Sequence, residues 1–323
     1  MEEMSVSVSL PKGAPAAPPA DGLAPRDLRE WITRVEAIGQ IHRIREEVDW
    51  NEEMGAITYM AHQEIGAPAL LFEKIKGCRP GFTALWNSLG SSLDRFALAI
   101  GEPTGRSVME LIERCRTKFA RSIAPVMVDG GDAPVNTHHM VGDEVDITIF
   151  PAARHWPGDG GPYIGTGDAI ITRDPDGAWL NVGCYRQMVH DKNHVGLFLS
   201  PGKDALLHIE RSWSRNEPCE VVAVWGVDPA MFIAATQGFP KNVSELDFIG
   251  GLTGRPVELC KGQVVSLPYP ARAEIVMEGI IYPNAVKKEG PFGEFTGYYG
   301  RPEDVTFLVE VKAVHYRENP ILT

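Results

Sequence analysis

Short apolar runs rich in β-branched residues dominate the second part of the chain, and this pattern limits the possible folds more than any other feature. Turn sequences such as Asp174-Pro175-Asp176-Gly177 separate neighbouring runs. The runs lie at residues 146–150, 169–172, 195–199, 221–225, 274–277 and 305–314. Many strands at short spacing, interrupted by helical patterns at 204–213 and 229–235, predict a barrel or a sandwich.

The region before residue 123 mixes helical and strand-like segments. Apolar side chains recur at helical spacing between Leu28 and Ile38, and further helical patterns lie at 93–100 and 108–119. The chain is therefore predicted to be α+β, with an N-terminal α/β domain at 25–123 and a β-rich domain at 124–323. Residues 1–24 are rich in alanine and proline, which predicts a disordered extension.

Composition excludes several classes of partner. The 323 residues carry a formal net charge of −12, which argues against a nucleic-acid partner. No apolar run approaches the roughly 18 residues of a membrane-spanning helix. The five cysteines are widely spaced and form no CxxC motif, so they indicate neither a zinc site nor a disulfide framework. Reduced thiols in a cytoplasmic protein are the simplest interpretation.

The turn Glu289-Gly290-Pro291-Phe292-Gly293-Glu294 places two carboxylates close together. Glycine and proline allow tight backbone shapes that other residues do not adopt. The turn can therefore fix two acids in one pocket, which is what acid/base chemistry requires. The alternative is a solvated β-turn with two surface glutamates.

The segment Asn181-Val182-Gly183-Cys184-Tyr185-Arg186 offers complementary groups. Strand alternation puts Asn181, Gly183 and Tyr185 on one face, and Cys184 and Arg186 on the other. An amide oxygen suits Mg²⁺ or Mn²⁺. An arginine within a β core needs an acid or a phosphate, so a structural salt bridge is as good an interpretation as a functional role.

Two helix starts add charged groups. At Leu199-Ser200-Pro201-Gly202-Lys203 a β-rich run meets a helix, and its free N–H groups and lysine suit a phosphate. An ordinary helix start with a solvated lysine is the alternative there. Ser244 is predicted to cap a short helix, so Glu245 either favours the helix dipole or serves as a hard metal ligand.

Taken together, these segments resemble the UbiD family of prenylated-FMN-dependent decarboxylases. The resemblance runs from about Pro25 to the end of the chain, with the motifs in the same order. Each motif is modest alone, but this order together with the EGPFGE turn is quite specific. The further segments that carry the resemblance are Asp159-Gly160-Gly161-Pro162-Tyr163, Val243-Ser244-Glu245 with Asp247, Gly297-Tyr298, and the run from Tyr316-Arg317 to Leu322.

The resemblance implies that residues 124–323 form a split β-barrel related to flavin-reductase barrels, with helical inserts. Family members then carry a C-terminal domain that assembles dimers or higher oligomers. We expect this chain to lack that domain and the full-length protein to be a homo-oligomer.

The resemblance also assigns cofactor contacts. Asn181 and Glu245 fall on the family's divalent-metal ligands, so Mn²⁺ or Mg²⁺ would bridge to the cofactor phosphate, with K⁺ as an additional candidate ion. Lys203 stands where some members have a ligand histidine, and a protonated lysine would instead contact the phosphate directly. The residues on cofactor-contacting positions are Asn181, Gly183, Cys184, Tyr185, Arg186, Phe198, Leu199, Ser200, Gly202, Lys203 and Glu245.

Arg186, Glu289 and Glu294 fall on the family's catalytic network. The resemblance implies reversible, non-oxidative decarboxylation of an aromatic, heteroaromatic or α,β-unsaturated acid through a covalent prenylated-FMN adduct. Arg186 would orient the substrate carboxylate and pair with Glu289, and Glu294 would donate the proton. The implied partners are the acid, CO₂ and a flavin prenyltransferase that supplies the cofactor.

Two other hypotheses stay open at this point. One is an ordinary FMN-binding split-barrel oxidoreductase, although hydride transfer needs no acid–arginine–acid network. The other is a non-catalytic subunit or fragment that binds the cofactor without turnover.

Overall fold

The computed structural model describes residues 23–241, 243–294 and 296–323, so the predicted extension at 1–24 lies almost entirely outside the described residues. Ala24, at its end, is buried. The helices are α1 (Leu28–Ala37), α2 (Glu53–His62), α3 (Leu93–Ala99), α4 (Val108–Phe119), α5 (Asp204–Ser214), α6 (Pro229–Ala235) and α7 (Glu245–Thr253). The strands are β1 (Ile41–Ile44), β2 (Ala69–Phe72), β3 (Thr83–Trp86), β4 (Val126–Met127), β5 (His138–Val141), β6 (Tyr163–Gly165), β7 (Ala169–Arg173), β8 (Leu180–Gly183), β9 (Gln187–Asp191), β10 (His194–Leu197), β11 (Cys219–Trp225), β12 (Glu258–Lys261), β13 (Pro268–Pro270), β14 (Ile275–Ile281), β15 (Val286–Glu289), β16 (Asp304–Tyr316) and β17 (Ile321–Leu322).

The largest sheet curls into a half-barrel. Its strand order is β6-β9-β10-β16-β14-β11-β7-β8, and β5 and β15 also pair with β16. The neighbours along this path are antiparallel. Helices cover its surfaces and separate some of its strands in the chain, so the predicted α+β fold with a split barrel is confirmed.

Strand β11 shows why the β-rich run at 221–225 is apolar throughout. Val222 and Val224 pack into a core with α1, α6 and α7. Val221, Ala223 and Trp225 point the other way, into a second core that includes residues of α5. Because successive side chains of a strand face opposite sides, a strand covered on both faces must be apolar at every position.

A four-stranded sheet of order β1-β2-β3-β17 lies in the N-terminal region, and its last strand comes from the end of the chain. Buried Glu274 helps to hold the end of the chain against this region. It receives two hydrogen bonds from the Arg29 guanidinium at 2.9 and 2.8 Å, and one each from Arg317 and the N–H of Ile321, both at 3.2 Å. The predicted division of the chain at residue 123 stays a prediction.

Two of the predicted strands differ in the structure. The run at 146–150 forms a short 3-10 helix at Ile147–Ile149, because Asp146 Oδ1 accepts the N–H of Thr148 at 3.0 Å and turns the backbone. Strand β10 ends at Leu197, so Phe198 lies in the loop that leads to α5. Among the described residues, no helix has the length and apolar character needed to cross a membrane.

Candidate active site

The turn after β15 separates the two candidate glutamates, because Glu289 ends the strand and Glu294 ends the turn. The loop at residues 159–161 holds this turn. Gly290 has φ of +89°, which favours glycine, and the Gly290–Pro291 peptide is cis. The N–H of Gly293 donates to Asp159 Oδ1 at 2.7 Å, and the N–H of Gly160 donates to the carbonyl of Pro291 at 2.9 Å. A Cβ at Gly160 would lie 2.0 Å from the carbonyl oxygen of Gly290, so this approach requires glycine.

Glu289 is the buried member of the pair. It is 1% exposed and accepts two hydrogen bonds from Arg186, Nε to Oε1 at 2.9 Å and Nη2 to Oε2 at 3.0 Å. The hydroxyl of Tyr163 donates to Oε1 at 2.6 Å. Burial and then this bond raise the pKa of Tyr163, which keeps its hydroxyl protonated. Glu289 is therefore held as a fixed counter-charge to Arg186.

Glu294 differs from Glu289 in exposure and contacts. Its side chain is 38% exposed, and its Oε1 lies 3.6 Å from Nη1 of Arg186. The guanidinium carbon of Arg186 lies 4.0 Å from the ring centroid of Phe198 and 4.9 Å from that of Phe292. Two aromatic rings and two carboxylates thus fix one guanidinium, and only one of the carboxylates is accessible to solvent.

A cavity of about 300 Å³ opens beside Glu294. Burial lowers the pKa of His155 to about 4, so this ring is neutral near pH 7, and it lies 4.8 Å from the Trp86 ring. The walls are mainly aromatic and suit a flat ligand. Residues lining the cavity include Tyr59, Trp86, His155, Trp156, Phe292 and Glu294.

The side chain of Tyr185 contacts both β8 and the start of α5. Its ring folds back over Gly183, where an added Cβ would lie 2.2 Å from the tyrosine hydroxyl oxygen. The hydroxyl contacts the side chain of Asn181 and the N–H of Ala205. Asn181 is 3% exposed, and apart from this contact with the Tyr185 hydroxyl its Nδ2 has no hydrogen-bond partner among the described residues. Burial raises the pKa of the intervening Cys184, so its thiol is protonated rather than nucleophilic.

Glu245 begins α7 beside the same strand. Ser244 caps the helix as predicted, with its hydroxyl accepting the N–H of Leu246 at 3.3 Å. Glu245 is 2% exposed, and Oε2 accepts the N–H of Val182 at 2.9 Å. No ion pair links it to a cation among the described residues, and burial raises its pKa to about 7. A buried acid without a counter-charge, together with a buried amide whose oxygen is a hard ligand, fits a hard divalent cation.

The donor set is small. The described part of the chain contains no cluster of three or more histidine, cysteine, aspartate or glutamate side chains suited to a metal. Asn181 and Glu245 would therefore offer a divalent cation two oxygen ligands.

The loop before α5 brings the remaining candidates to the same region. Phe198 lies on Arg186, and the N–H of Phe198 donates to the Arg186 carbonyl at 3.2 Å. Gly202 has φ of +84°, and exposed Lys203 follows it at the N-cap of α5. The structure thus brings together the residues from 181–186, 198–203 and 245, and the two glutamates reach them through Arg186.

Two family models match the chain. The N-terminal domain of 3-octaprenyl-4-hydroxybenzoate carboxy-lyase matches residues 32–115, and the Rift-related domain of the same family matches residues 126–323. The chain belongs to the UbiD family. The resemblance found from the sequence motifs is therefore confirmed, and the family homologues are carboxy-lyases.

Several UbiD relatives are similar over most of this chain. Pyrrole-2-carboxylic acid decarboxylase of Pseudomonas aeruginosa is 33% identical in an alignment of 307 residues that covers 92% of this chain and 60% of the relative. The UbiD-class enzyme HmfF from Pelotomaculum thermopropionicum, in an evolved dimeric form with prFMN bound, is 32% identical with a TM-score of 0.84, covering 92% of this chain and 66% of HmfF. Vanillic acid decarboxylase of Sedimentibacter hydroxybenzoicus is 30% identical with a TM-score of 0.85, covering 92% and 63%. The chain thus spans about three fifths of its relatives' length.

Sequence reasoning missed several residues of this UbiD site. Tyr163 and Asp159 stood only as letters of a motif, and neither was expected to bind Glu289 or the turn that follows it. Phe292 stood only as a part of the turn sequence and not as a contact of Arg186. The available signals were the glycine-rich loop at 158–161 and the tight turn at 289–294. Neither signal specifies which residues contact each other across more than 120 positions of the chain.

Proposed function

We propose that this chain carries the flavin-binding and catalytic site of a UbiD-type decarboxylase acting on an aromatic, heteroaromatic or α,β-unsaturated carboxylic acid. The observation that carries the proposal is the network of Arg186 with buried Glu289 and accessible Glu294. The names of two relatives, which decarboxylate pyrrole-2-carboxylic and vanillic acid, support a flat unsaturated acid. The aromatic cavity beside Glu294 has a size and lining that suit such a substrate.

Prenylated FMN is the proposed cofactor, because the related HmfF was solved with it. When bound, it would supply the electron sink that loss of CO₂ from an sp² carbon requires. Asn181 and Glu245 would hold Mn²⁺ or Mg²⁺ against its phosphate, and Lys203 would add a positive charge at the start of α5. The buried, uncompensated acid of Glu245 and the buried amide of Asn181 support this assignment.

Arg186 would bind the substrate carboxylate. Glu289 occupies its Nε and Nη2, which leaves Nη1, on the side of Glu294, for the substrate. The flanking rings of Phe198 and Phe292 lie against the planar guanidinium and shield it from water, which strengthens its attraction for an anion. Arg186 thus orients the substrate without leaving its own counter-charge.

Glu294 would deliver the proton to the carbon that has lost CO₂. Its exposed fraction allows it to take a proton from solvent, and its position at the cavity edge brings it to the substrate. Glu289 cannot fill this role, because its two oxygens are occupied by Arg186 and Tyr163. In the reverse reaction, the same groups would support carboxylation at high CO₂.

The test loads the chain with prenylated FMN and Mn²⁺ and measures product formation on a panel of acids that includes pyrrole-2-carboxylate and vanillate. We expect turnover by the native chain and a loss of about 10²-fold or more in Glu294→Gln, the range of general-acid contributions, with the flavin spectrum retained. Glu303→Gln, which alters an exposed carboxylate nearby, is the matched control with native rates.

Full activity in Glu294→Gln would overturn the proton-donor role. Cofactor binding without turnover on any acid would favour a non-catalytic subunit. Plain FMN as the bound species, together with oxidation of a nicotinamide and no CO₂ release, would favour an oxidoreductase.

A further inference from the structure

Residues 184–186 connect β8 to β9 and lie outside both strands, so other contacts must fix this turn. The N–H of Cys184 donates to the carbonyl of Ala235 at 2.9 Å. The N–H of Tyr185 donates to Asp168 Oδ1 at 3.1 Å. Asp168 is 0% exposed and stands at the end of the β6–β7 connection. A buried side chain therefore holds the backbone one residue before Arg186.

Asp168 also contacts the residue before that. The thiol of Cys184 donates to the carbonyl oxygen of Thr166, with the sulfur 3.6 Å from that oxygen, and it lies against the Asp168 carboxyl group. The β6–β7 connection is thus joined to the turn at two consecutive residues.

The other side of Arg186 is anchored in the same region. Gln187 is 0% exposed, and its Oε1 accepts the indole N–H of Trp225 at 2.6 Å. Oδ2 of Asp168 and Oε1 of Gln187 both crowd Gly165, where an added Cβ would lie 2.4 and 2.9 Å from them. Position 165 must therefore be glycine for both side chains to pack there.

The arrangement has a cost. Asp168 Oδ2 has no hydrogen-bond partner among the described residues, and no ion pair joins this carboxyl group to a cation there. Burial raises the pKa of Asp168 to about 7. An incompletely paired buried acid destabilises a fold. Asp168 therefore contributes through the backbone geometry that it imposes and not through stability.

We infer that Asp168 is a positioning residue for Arg186: through the N–H of Tyr185 it sets the direction in which Arg186 leaves the backbone, toward Glu289 and Glu294. The inference rests on the proposed function, in which Arg186 orients the substrate carboxylate. Asp168 itself touches neither substrate nor reacting atoms.

The test compares Asp168→Ala, which removes the acceptor, with Asp168→Asn, which keeps an acceptor oxygen in place. In the cofactor-free chain, amide hydrogen exchange at Tyr185 is expected to be about tenfold faster in Asp168→Ala, the effect of losing one hydrogen bond, and near native in Asp168→Asn. In the loaded chain, Asp168→Ala is expected to lose about 10²-fold in kcat/KM, as misplaced catalytic groups do, and Asp168→Asn to recover most of it.

Asp228→Ala is the matched control. Asp228 also accepts two main-chain N–H groups, from Ala230 at 3.0 Å and Met231 at 3.1 Å, but it caps α6 and not the β8–β9 turn. It should lose stability without changing Tyr185 exchange or kcat/KM.

Unchanged Tyr185 exchange in Asp168→Ala, or equal effects in Asp228→Ala, overturns the inference. The inference is also overturned if the Tyr185 amide of the native chain exchanges as fast as an unprotected amide. This measurement needs no variant. If no acid is decarboxylated, the proposed function fails while the exchange measurement still decides whether Asp168 holds the turn.

Discussion

The buried pair of Arg186 and Glu289 should be energetically coupled, and a double-mutant cycle can measure this. The side chains are 15% and 1% exposed, and two hydrogen bonds join them. Removing one partner of a buried ion pair costs about 3–5 kcal/mol, because the other charge is left uncompensated. Arg186→Met should reach this range, since Glu289 would keep only the hydroxyl of Tyr163.

Glu289→Gln should cost less, about 2–3 kcal/mol, because Glu294 at 3.6 Å still compensates part of the Arg186 charge. The double variant has no uncompensated charge, so its loss should be smaller than the sum by about 2 kcal/mol, within the usual range for contacting residues. With a stability in the middle of the typical range of about 5–15 kcal/mol, each variant would stay folded.

The assay is urea denaturation of the four proteins at pH 7, followed by tryptophan fluorescence, with the free energy of unfolding compared around the cycle. The exposed pair Lys288–Glu303, 2.7 Å apart, provides a control cycle with an expected coupling of about 0–1 kcal/mol. Additive losses at Arg186 and Glu289, equal to those of the control, would refute the account of a tightly coupled buried pair.

Three further outcomes are expected. Gly183→Ala should destabilise the chain by about 1–3 kcal/mol and weaken Mn²⁺ binding, because the added Cβ would displace the Tyr185 hydroxyl. Gly177→Ala should be neutral, because nothing lies within 4 Å of a Cβ at that position. Thermal unfolding measures the stability of both variants, and Mn²⁺ titration measures their metal binding. Burial lowers the pKa of His208 to about 4 from 6.5, so the folded chain binds fewer protons between these values and stability should fall as pH drops through that window; His208→Gln should flatten the fall in denaturant titrations at several pH values. Burial raises the pKa of Asp228 to about 6 from 3.8, so its contribution has the opposite sign, and the stability of Asp228→Asn relative to the native chain should rise between pH 4 and 6.

The sequence predicted the fold class because periodicity reflects burial. The run at 221–225 is apolar on both faces, and β11 indeed contributes to two cores. The run at 146–150 looked the same, but Asp146 bends its own backbone, and a local side-chain bond outweighs strand propensity there. Strand pairing followed neither from periodicity nor from turns, since β16 joins strands from four separate parts of the chain.

The candidate site was predicted in part for a similar reason. The glutamates of the turn were visible because glycine and proline mark tight backbone. Asp168 was not, since a lone aspartate between two strands looks like any solvated turn residue. Its burial comes from packing against residues 184–187, which only the three-dimensional structure brings near.

The pairing of β17 with β3 has a consequence for the order of folding. Ile321 pairs with Thr83 and Leu322 with Ala84, so the sheet in the N-terminal region is completed by residues made more than 230 positions later. Closing so long a loop comes late, because its entropy is lost before the contact forms. During synthesis, the edge of β3 must therefore wait unpaired while the half-barrel forms, and this open edge is where a nascent chain would need protection from association with its neighbours.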